Sequence, residues 1–168
     1  MPKKSNKEKK LYAIAIPVKA HLKQFLIKNY GENLELEFKS SSLSIELFGL
    51  LSKRLNHHQY RLNYEHYEAS YTVYIGKNYF FHYGRNTLSG FQISLINKMI
   101  MGKFNDRFIE YVMALDEEGV THREAIFRWC EKYNLDKGST DWYQTLRRKI
   151  TRHKEKFKKP CLKLSHEN

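Results

Sequence analysis

The hydrophobic period of the chain changes once, at Ser89, and this change limits the possible folds more than any other feature. Before Ser89, apolar residues occur in short runs that alternate with polar residues, which is typical of half-buried strands. After it, apolar residues recur three and four positions apart, which is typical of amphipathic helices. The sequence therefore predicts an α+β fold, with a small mixed sheet domain followed by an all-helical domain.

The first part of the chain is predicted to start with two strands and two helices. Residues 11–18 ("LYAIAIPV") are a short apolar run closed by a proline, and residues 34–39 ("LELEFK") alternate, so both are expected to be strands. A helix is expected at 20–31 and a second at about 43–55, with serines 40–42 supplying its N-cap. The predicted order is β-α-β-α.

Further strands of a mostly antiparallel sheet are expected at 60–84, where tyrosine and aliphatic residues alternate with polar ones. A turn at 76–78 would lead into a last strand at 79–84 ("YFFHYG"). Aromatic rings interleaved with basic residues suit the stacking of exposed nucleic-acid bases. Half-buried cross-strand pairs explain the same rings without a ligand, and this is the preferred interpretation.

The second part is predicted to be four helices, at 89–101, 104–117, 121–134 and 140–156, with a break or kink at Gly102. The last three each carry one apolar stripe and are joined by short connections. Such stripes can be buried only against one another. A tri-helical unit whose last helix is basic is therefore expected.

This unit resembles the helix-turn-helix class of DNA-binding domains over residues 104 to about 156. Its clearest boundary is the S/T-x-x-E capping box of Thr121 and Glu124 at the start of the second helix. The resemblance implies that the second helix braces the third and that the third enters the major groove of DNA.

The positive charge lies at the two ends of the chain. Of the net charge of +12, residues 1–10 carry +4 and residues 142–168 carry +7. This concentration predicts an electrostatic footprint for nucleic acid. An anionic membrane surface is a weaker candidate, because the apolar stripe of the basic helix is narrow.

The basic helix is predicted to divide into an inner and an outer side. At about 100° per residue, Trp142, Tyr143, Leu146 and Ile150 point inward. Gln can bond adenine and Arg can bond guanine on the outer side, while flanking cations suit phosphates. The candidate DNA-binding residues are Gln144, Arg147, Arg148, Thr151, Arg152, Lys154, Lys156, Lys158 and Lys159. The alternative is a solvated helix face with a Lys-rich end.

The sequence supports a catalytic function less well than it supports DNA binding. The tripeptide 37–39 ("EFK") matches half of a nuclease metal site, and His66 and His82 with Glu65 or Glu68 could meet on neighbouring strands. The sequence contains no phosphate-binding Gly-rich loop and no G-x-S-x-G motif. We therefore assign no catalytic residue, metal site or cofactor, and the sequence favours a binding protein over an enzyme.

The sequence also predicts a cytoplasmic protein without membrane attachment. It contains no run of 18 apolar residues, and its N-terminus lacks the pattern of a signal peptide. Cys130 and Cys161 form neither a disulfide framework nor a zinc motif.

The sequence favours four segments: a basic arm at 1–10, an α+β domain at 11–86, a helical DNA-binding domain at 87–157, and a basic tail at 158–168. The expected function is binding of double-stranded DNA as a transcriptional regulator or DNA-processing accessory factor, and a homodimer is left open. The alternatives are binding of structured RNA, or a nuclease-like enzyme with its site in the N-terminal sheet.

Overall fold

The computed structural model of the protein describes residues 10–36, 41–52, 67–82, 88–135 and 140–158. The elements in this part of the chain are, in order, β1 (Leu11–Val18), α1 (Ala20–Tyr30), β2 (Asn33–Glu35), α2 (Ser42–Ser52), β3 (Ala69–Gly76), α3 (Lys77–His82), α4 (Gly90–Glu117), α5 (His122–Lys132) and α6 (Thr140–Lys158). Two compact units are present, Met1–Ile100 and Met101–Asn168. The predicted α+β fold, with a sheet followed by helices, is confirmed.

The three strands form one sheet in the order β1-β3-β2. β1 is antiparallel to β3, with Leu11 opposite Gly76. β2 is parallel to β3, with Leu34 opposite Val73. A parallel neighbour needs a crossover connection, and the chain between β2 and β3 contains α2.

One face of the sheet is buried, as the alternating pattern predicts. Alternate residues of β1 and β3 are buried, and α1 contributes three buried residues to the same unit. These residues are Ile14, Ile16, Val18, Tyr71, Val73 and Ile75 from the strands, and Leu22, Phe25 and Leu26 from α1. The intervening Ala13 and Ala15 of β1 are exposed. Burial on every second residue is what sets the register of the strands.

The predicted last strand at 79–84 is wrong where it is described, because Lys77–His82 is the helix α3. The rings of Phe80 and Phe81 lie 4.8 Å and 5.0 Å from the ring of Tyr12 on β1. Adjacent residues on a strand point to opposite faces and could not both contact one ring. The helical conformation allows both contacts.

The predicted break at Gly102 is also wrong, since α4 runs unbroken from Gly90 to Glu117. A glycine lowers helix stability by about 1 kcal/mol but does not end a helix by itself. Gly102 has no left-handed backbone conformation, and a Cβ atom added there would meet no atom within 4 Å. The residues on both sides of Gly102 therefore keep the helix continuous despite the low helix propensity of glycine.

The first part of α4 buries polar side chains that the apolar pattern does not predict. The amide of Asn97 donates to the carbonyl oxygens of Pro17 at 2.8 Å and Ile93 at 2.9 Å. Gln92 Nε2 donates to the carbonyl oxygen of Leu50 at 3.3 Å. These bonds provide partners for the amide N–H groups of two buried side chains. Of the predicted inward residues, Ile96 and Ile100 are buried, whereas Phe91, Leu95 and Met99 are half-buried.

A reciprocal capping box is present at the start of α4. The backbone N–H of Gln92 donates to Ser89 Oγ, and Gln92 Oε1 accepts from the backbone N–H of Ser89 at 3.0 Å. At the predicted box, the backbone N–H of Glu124 donates to Thr121 Oγ1 at 3.3 Å. The carboxylate of Glu124 accepts from Arg128 at 3.0 Å instead of closing the box. The predicted start of α5 is confirmed, and one of the two hydrogen bonds of the capping box is present.

Some predicted features lie outside the described residues. These are the arm before residue 10, the strand around 60–64, the domain boundary near 86, and the tail after 158. Within the described ranges, no helix has the length and apolar character needed to cross a membrane.

Candidate nucleic-acid interface

The orientation of α6 is set by an aromatic core in the second unit. Leu146 and Ile150 are buried on its inner side, as predicted. Trp129 of α5 is 1% exposed, and its ring lies 5.5 Å from that of Phe104 and 4.5 Å from that of Tyr133. The ring of Trp142 on α6 lies 6.3 Å from that of Phe104, so the inner side of α6 joins this aromatic core.

The opposite side of α6 is exposed and basic. We call this surface the outward face of α6. It consists of Gln144, Arg147, Arg148, Thr151, Arg152, Glu155 and Lys156, all exposed. None of its four cations forms an ion pair with another residue in the described part of the chain. With four cations and one carboxylate, this face carries a net positive charge.

Lys154 differs from the other predicted phosphate contacts, because the protein itself binds its ammonium group. Lys154 Nζ lies 3.0 Å from Asp116 Oδ2 and 3.0 Å from His122 Nε2. His122 Nε2 also lies 3.1 Å from Asp116 Oδ1. The hydrogen bond from Lys154, followed by that from His122, lowers the pKa of Asp116. The carboxylate therefore offsets the charge of Lys154 locally.

Lys149 lies next to the outward face but is half-buried. Burial, followed by the nearby charge of Arg152, lowers the pKa of its ammonium group. Desolvation disfavours the charged form. Lys149 is therefore less suited than Arg148 or Arg152 to carry a fixed positive charge.

The last two predicted contacts are not located by the structure. The side chain of Lys158, at the end of α6, and the whole of Lys159 lie outside the described residues. Their assignment as phosphate contacts stays a prediction.

Sequence reasoning missed an aromatic and basic surface on α5 beside α6. The rings of Phe127 and Tyr143 are stacked at 5.7 Å with 26° between their planes. The guanidinium carbon of Arg123 lies 5.7 Å from the centroid of the Phe127 ring. The i, i+4 spacing of Arg123 and Phe127, outside the apolar stripe of α5, is the sequence signal that could have revealed it.

The structure leaves the catalytic alternatives untested. Residues 37–39 and the pair Glu65 and His66 lie outside the described residues, as does the side chain of His82. Glu68 is exposed just before β3. Among the side chains that are described, no three His, Cys, Asp or Glu residues form a cluster that could hold a metal ion.

Comparison of the chain with protein-family models, with curated proteins and with solved structures finds no match.

Proposed function

We propose that the protein binds double-stranded DNA through the outward face of α6, as a transcriptional regulator or DNA-processing accessory factor acting in the cytoplasm. The observation that carries the proposal is the difference between the two sides of α6. One side is held by buried Leu146 and Ile150, and the other presents arginines without ion pairs among the described residues.

The dimensions of α6 suit this role. A helix of 19 residues is roughly 28 Å long, and the major groove of B-DNA is about 12 Å wide, enough to admit a helix. Gln144 and Arg148 lie on the part of the face farthest from the buried stripe, so we assign them to base edges. Arg147, Arg152 and Lys156 lie at its sides, so we assign them to backbone phosphates.

The charge distribution supports binding driven by counterion release. Each phosphate that a cation neutralises contributes about −0.9 to the slope of log affinity against log salt concentration. A bound duplex contacted by several cations of α6 would therefore dissociate steeply as salt is raised. The N-terminal lysines would add to this slope if they also contact phosphates.

The test is a set of fluorescence-anisotropy titrations of the full chain with double-stranded DNA, single-stranded DNA and structured RNA at several salt concentrations. We expect the tightest binding to duplex DNA, and a less negative salt slope for the double variant Arg148→Ala and Arg152→Ala. The double variant Arg107→Ala and Arg128→Ala is the matched control, because it also removes two charges and these exposed arginines pair with Glu110 at 3.5 Å and with Glu124 at 3.0 Å. Affinity for duplex DNA that does not change with salt would contradict the proposal.

The same titrations separate the alternatives. Tighter binding to structured RNA would favour the RNA-binding function. Cleavage of any of the three nucleic acids in the presence of Mg²⁺ would favour an enzyme whose N-terminal sheet holds the site. Size-exclusion chromatography with light scattering, with and without DNA, would show whether one or two copies bind.

A further inference from the structure

The aromatic and basic surface on α5 has a geometry that fixes an arginine. The ring of Phe127 lies 5.7 Å from the ring of Tyr143, and the guanidinium carbon of Arg123 lies 5.7 Å from the centroid of the Phe127 ring. We call these three residues the Arg123 stack. A guanidinium group stacked on a ring keeps its N–H donors free at the edges of its plane. The ring therefore orients Arg123 without using its hydrogen-bond donors.

The exposure of these residues indicates a surface role. Phe127 is 38% exposed and is one of three large hydrophobic side chains that are exposed in the described part of the chain. Arg123 is exposed and forms no ion pair with a described carboxylate. The other arginine of α5, Arg128, is paired with Glu124 at 3.0 Å. Of the two arginines, Arg123 is the one available to an external anion.

The contacts between α5 and α6 place the Arg123 stack beside the outward face. Phe127 contacts Tyr143 near the start of α6, and His122 contacts Lys154 near its end. The first residue of α5 is therefore near the end of α6, and the middle of α5 is near the start of α6. Arg147 lies one turn after Tyr143 in α6, between these two contacts in the sequence. A ligand along this side of α6 would meet both Arg147 and Arg123.

We propose that Arg123, oriented by Phe127 and Tyr143, binds a backbone phosphate of the same DNA duplex that α6 contacts. This inference rests on the proposed function and extends its surface from α6 to α5. A phosphate is the anion that such a surface suits, because a planar guanidinium can donate two parallel hydrogen bonds to its oxygens. Phe127 and Tyr143 are positioning residues in this arrangement.

The first test compares Arg123→Ala with Arg128→Ala in the full chain, titrated with one DNA duplex at several salt concentrations. Loss of one phosphate contact should make the salt slope less negative by about 0.9, which corresponds to roughly eightfold weaker binding at 0.1 M salt. Arg128→Ala makes the same change in net charge on the same helix, and its salt slope should stay close to that of the wild type. Equal effects of the two substitutions would overturn the inference.

The second test addresses the stack. Phe127→Leu keeps an apolar side chain but removes the ring, and thermal melting followed by circular dichroism checks that the variant is folded. Arg123→Ala should weaken binding much less in the Phe127→Leu background than in the wild type, because an arginine without its ring is no longer held in place. Arg123→Lys should bind with an affinity between those of Arg123→Ala and the wild type, because lysine keeps the charge but lacks the planar group that donates two parallel hydrogen bonds. Equal losses in both backgrounds would show that Phe127 does not position Arg123.

The two proposals fail in different ways. If the α6 variant Arg148→Ala and Arg152→Ala weakens duplex binding while Arg123→Ala does not, the inference is wrong and the proposed function stands. If the wild type shows no salt-dependent affinity for duplex DNA, both are wrong.

Discussion

The ammonium group of Lys154 lies 3.0 Å from Asp116 Oδ2, so a carboxylate of α4 binds one of the cations of the basic helix. Both side chains are part-exposed at about 41%, so the pair is expected to stabilise the fold only weakly. If the protein binds DNA as proposed, Asp116 would compete with a backbone phosphate for Lys154.

Replacing Asp116 with asparagine should therefore strengthen DNA binding. The substitution frees Lys154 and removes one negative charge, so the salt slope should become more negative by up to about 0.9. Titration of the wild type and the variant with one duplex at several salt concentrations measures this slope. Asp106→Asn is the matched control, because Asp106 is also exposed on α4. An equal gain in affinity from both variants would indicate a general charge effect.

Arg148 and Lys156 should affect specificity differently. Arg148→Ala should relax the preference for one or two base pairs of a site selected from random DNA, since a good arginine–guanine contact discriminates by about 1–3 kcal/mol. Lys156→Ala should weaken binding to the selected and a scrambled site by the same factor, because phosphate contacts carry no sequence information. If Arg148→Ala also lowers both affinities equally, α6 binds DNA without reading its sequence.

The stability of the protein should fall as the pH is lowered from about 6.5 to about 4. Burial, followed by the charge of Lys19, lowers the pKa of His21 from 6.5 to about 4. In this pH range the unfolded chain binds a proton that the folded protein does not, so protonation favours unfolding. We expect a loss of about 1–2 kcal/mol after allowing for partial solvent access to the ring. Urea denaturation of the wild type and of His21→Gln measures it, and the variant should lack this part of the pH dependence.

Asn97→Ala should destabilise the sheet unit by about 2–3 kcal/mol. Asn97 is 6% exposed and its amide donates to the carbonyl oxygen of Pro17 at the end of β1. Its removal leaves that carbonyl without this bond and opens a small cavity. Urea denaturation measures the change, with the exposed neighbour Lys98→Ala as the control. A loss no larger than that of Lys98→Ala would show that the bond contributes little.

Gly102→Ala should stabilise the protein by about 0.5–1 kcal/mol. The residue lies inside α4, and an added Cβ atom would meet no neighbour within 4 Å. Alanine therefore lowers the entropy of the unfolded chain and favours the helix without a steric cost. Thermal melting measures the change, and a lower melting temperature would indicate that the backbone at Gly102 is not regular helix.

Sequence patterns were sufficient for the features that depend on which side of an element is buried. The change of period at Ser89 predicted the order of a sheet part and a helical part. The spacing of Leu146 and Ile150 predicted the buried side of α6, and hence the exposure of Gln144 and Arg148. These features can be predicted from sequence because burial repeats with the period of the helix or strand itself.

Only the tertiary structure decided which residues meet across the chain. Phe80 and Phe81 of the helix at 77–82 both contact Tyr12, and the amide of the buried Asn97 donates to a carbonyl 80 residues earlier. Lys154 is bound by a carboxylate 38 residues earlier, and Arg123 lies beside α6 through Phe127 and Tyr143. The hydrophobic period of one segment predicts which side of that element is buried. It contains no information about the segment against which that side packs. That partner is chosen by the packing of the whole unit, in which each contact depends on all the others.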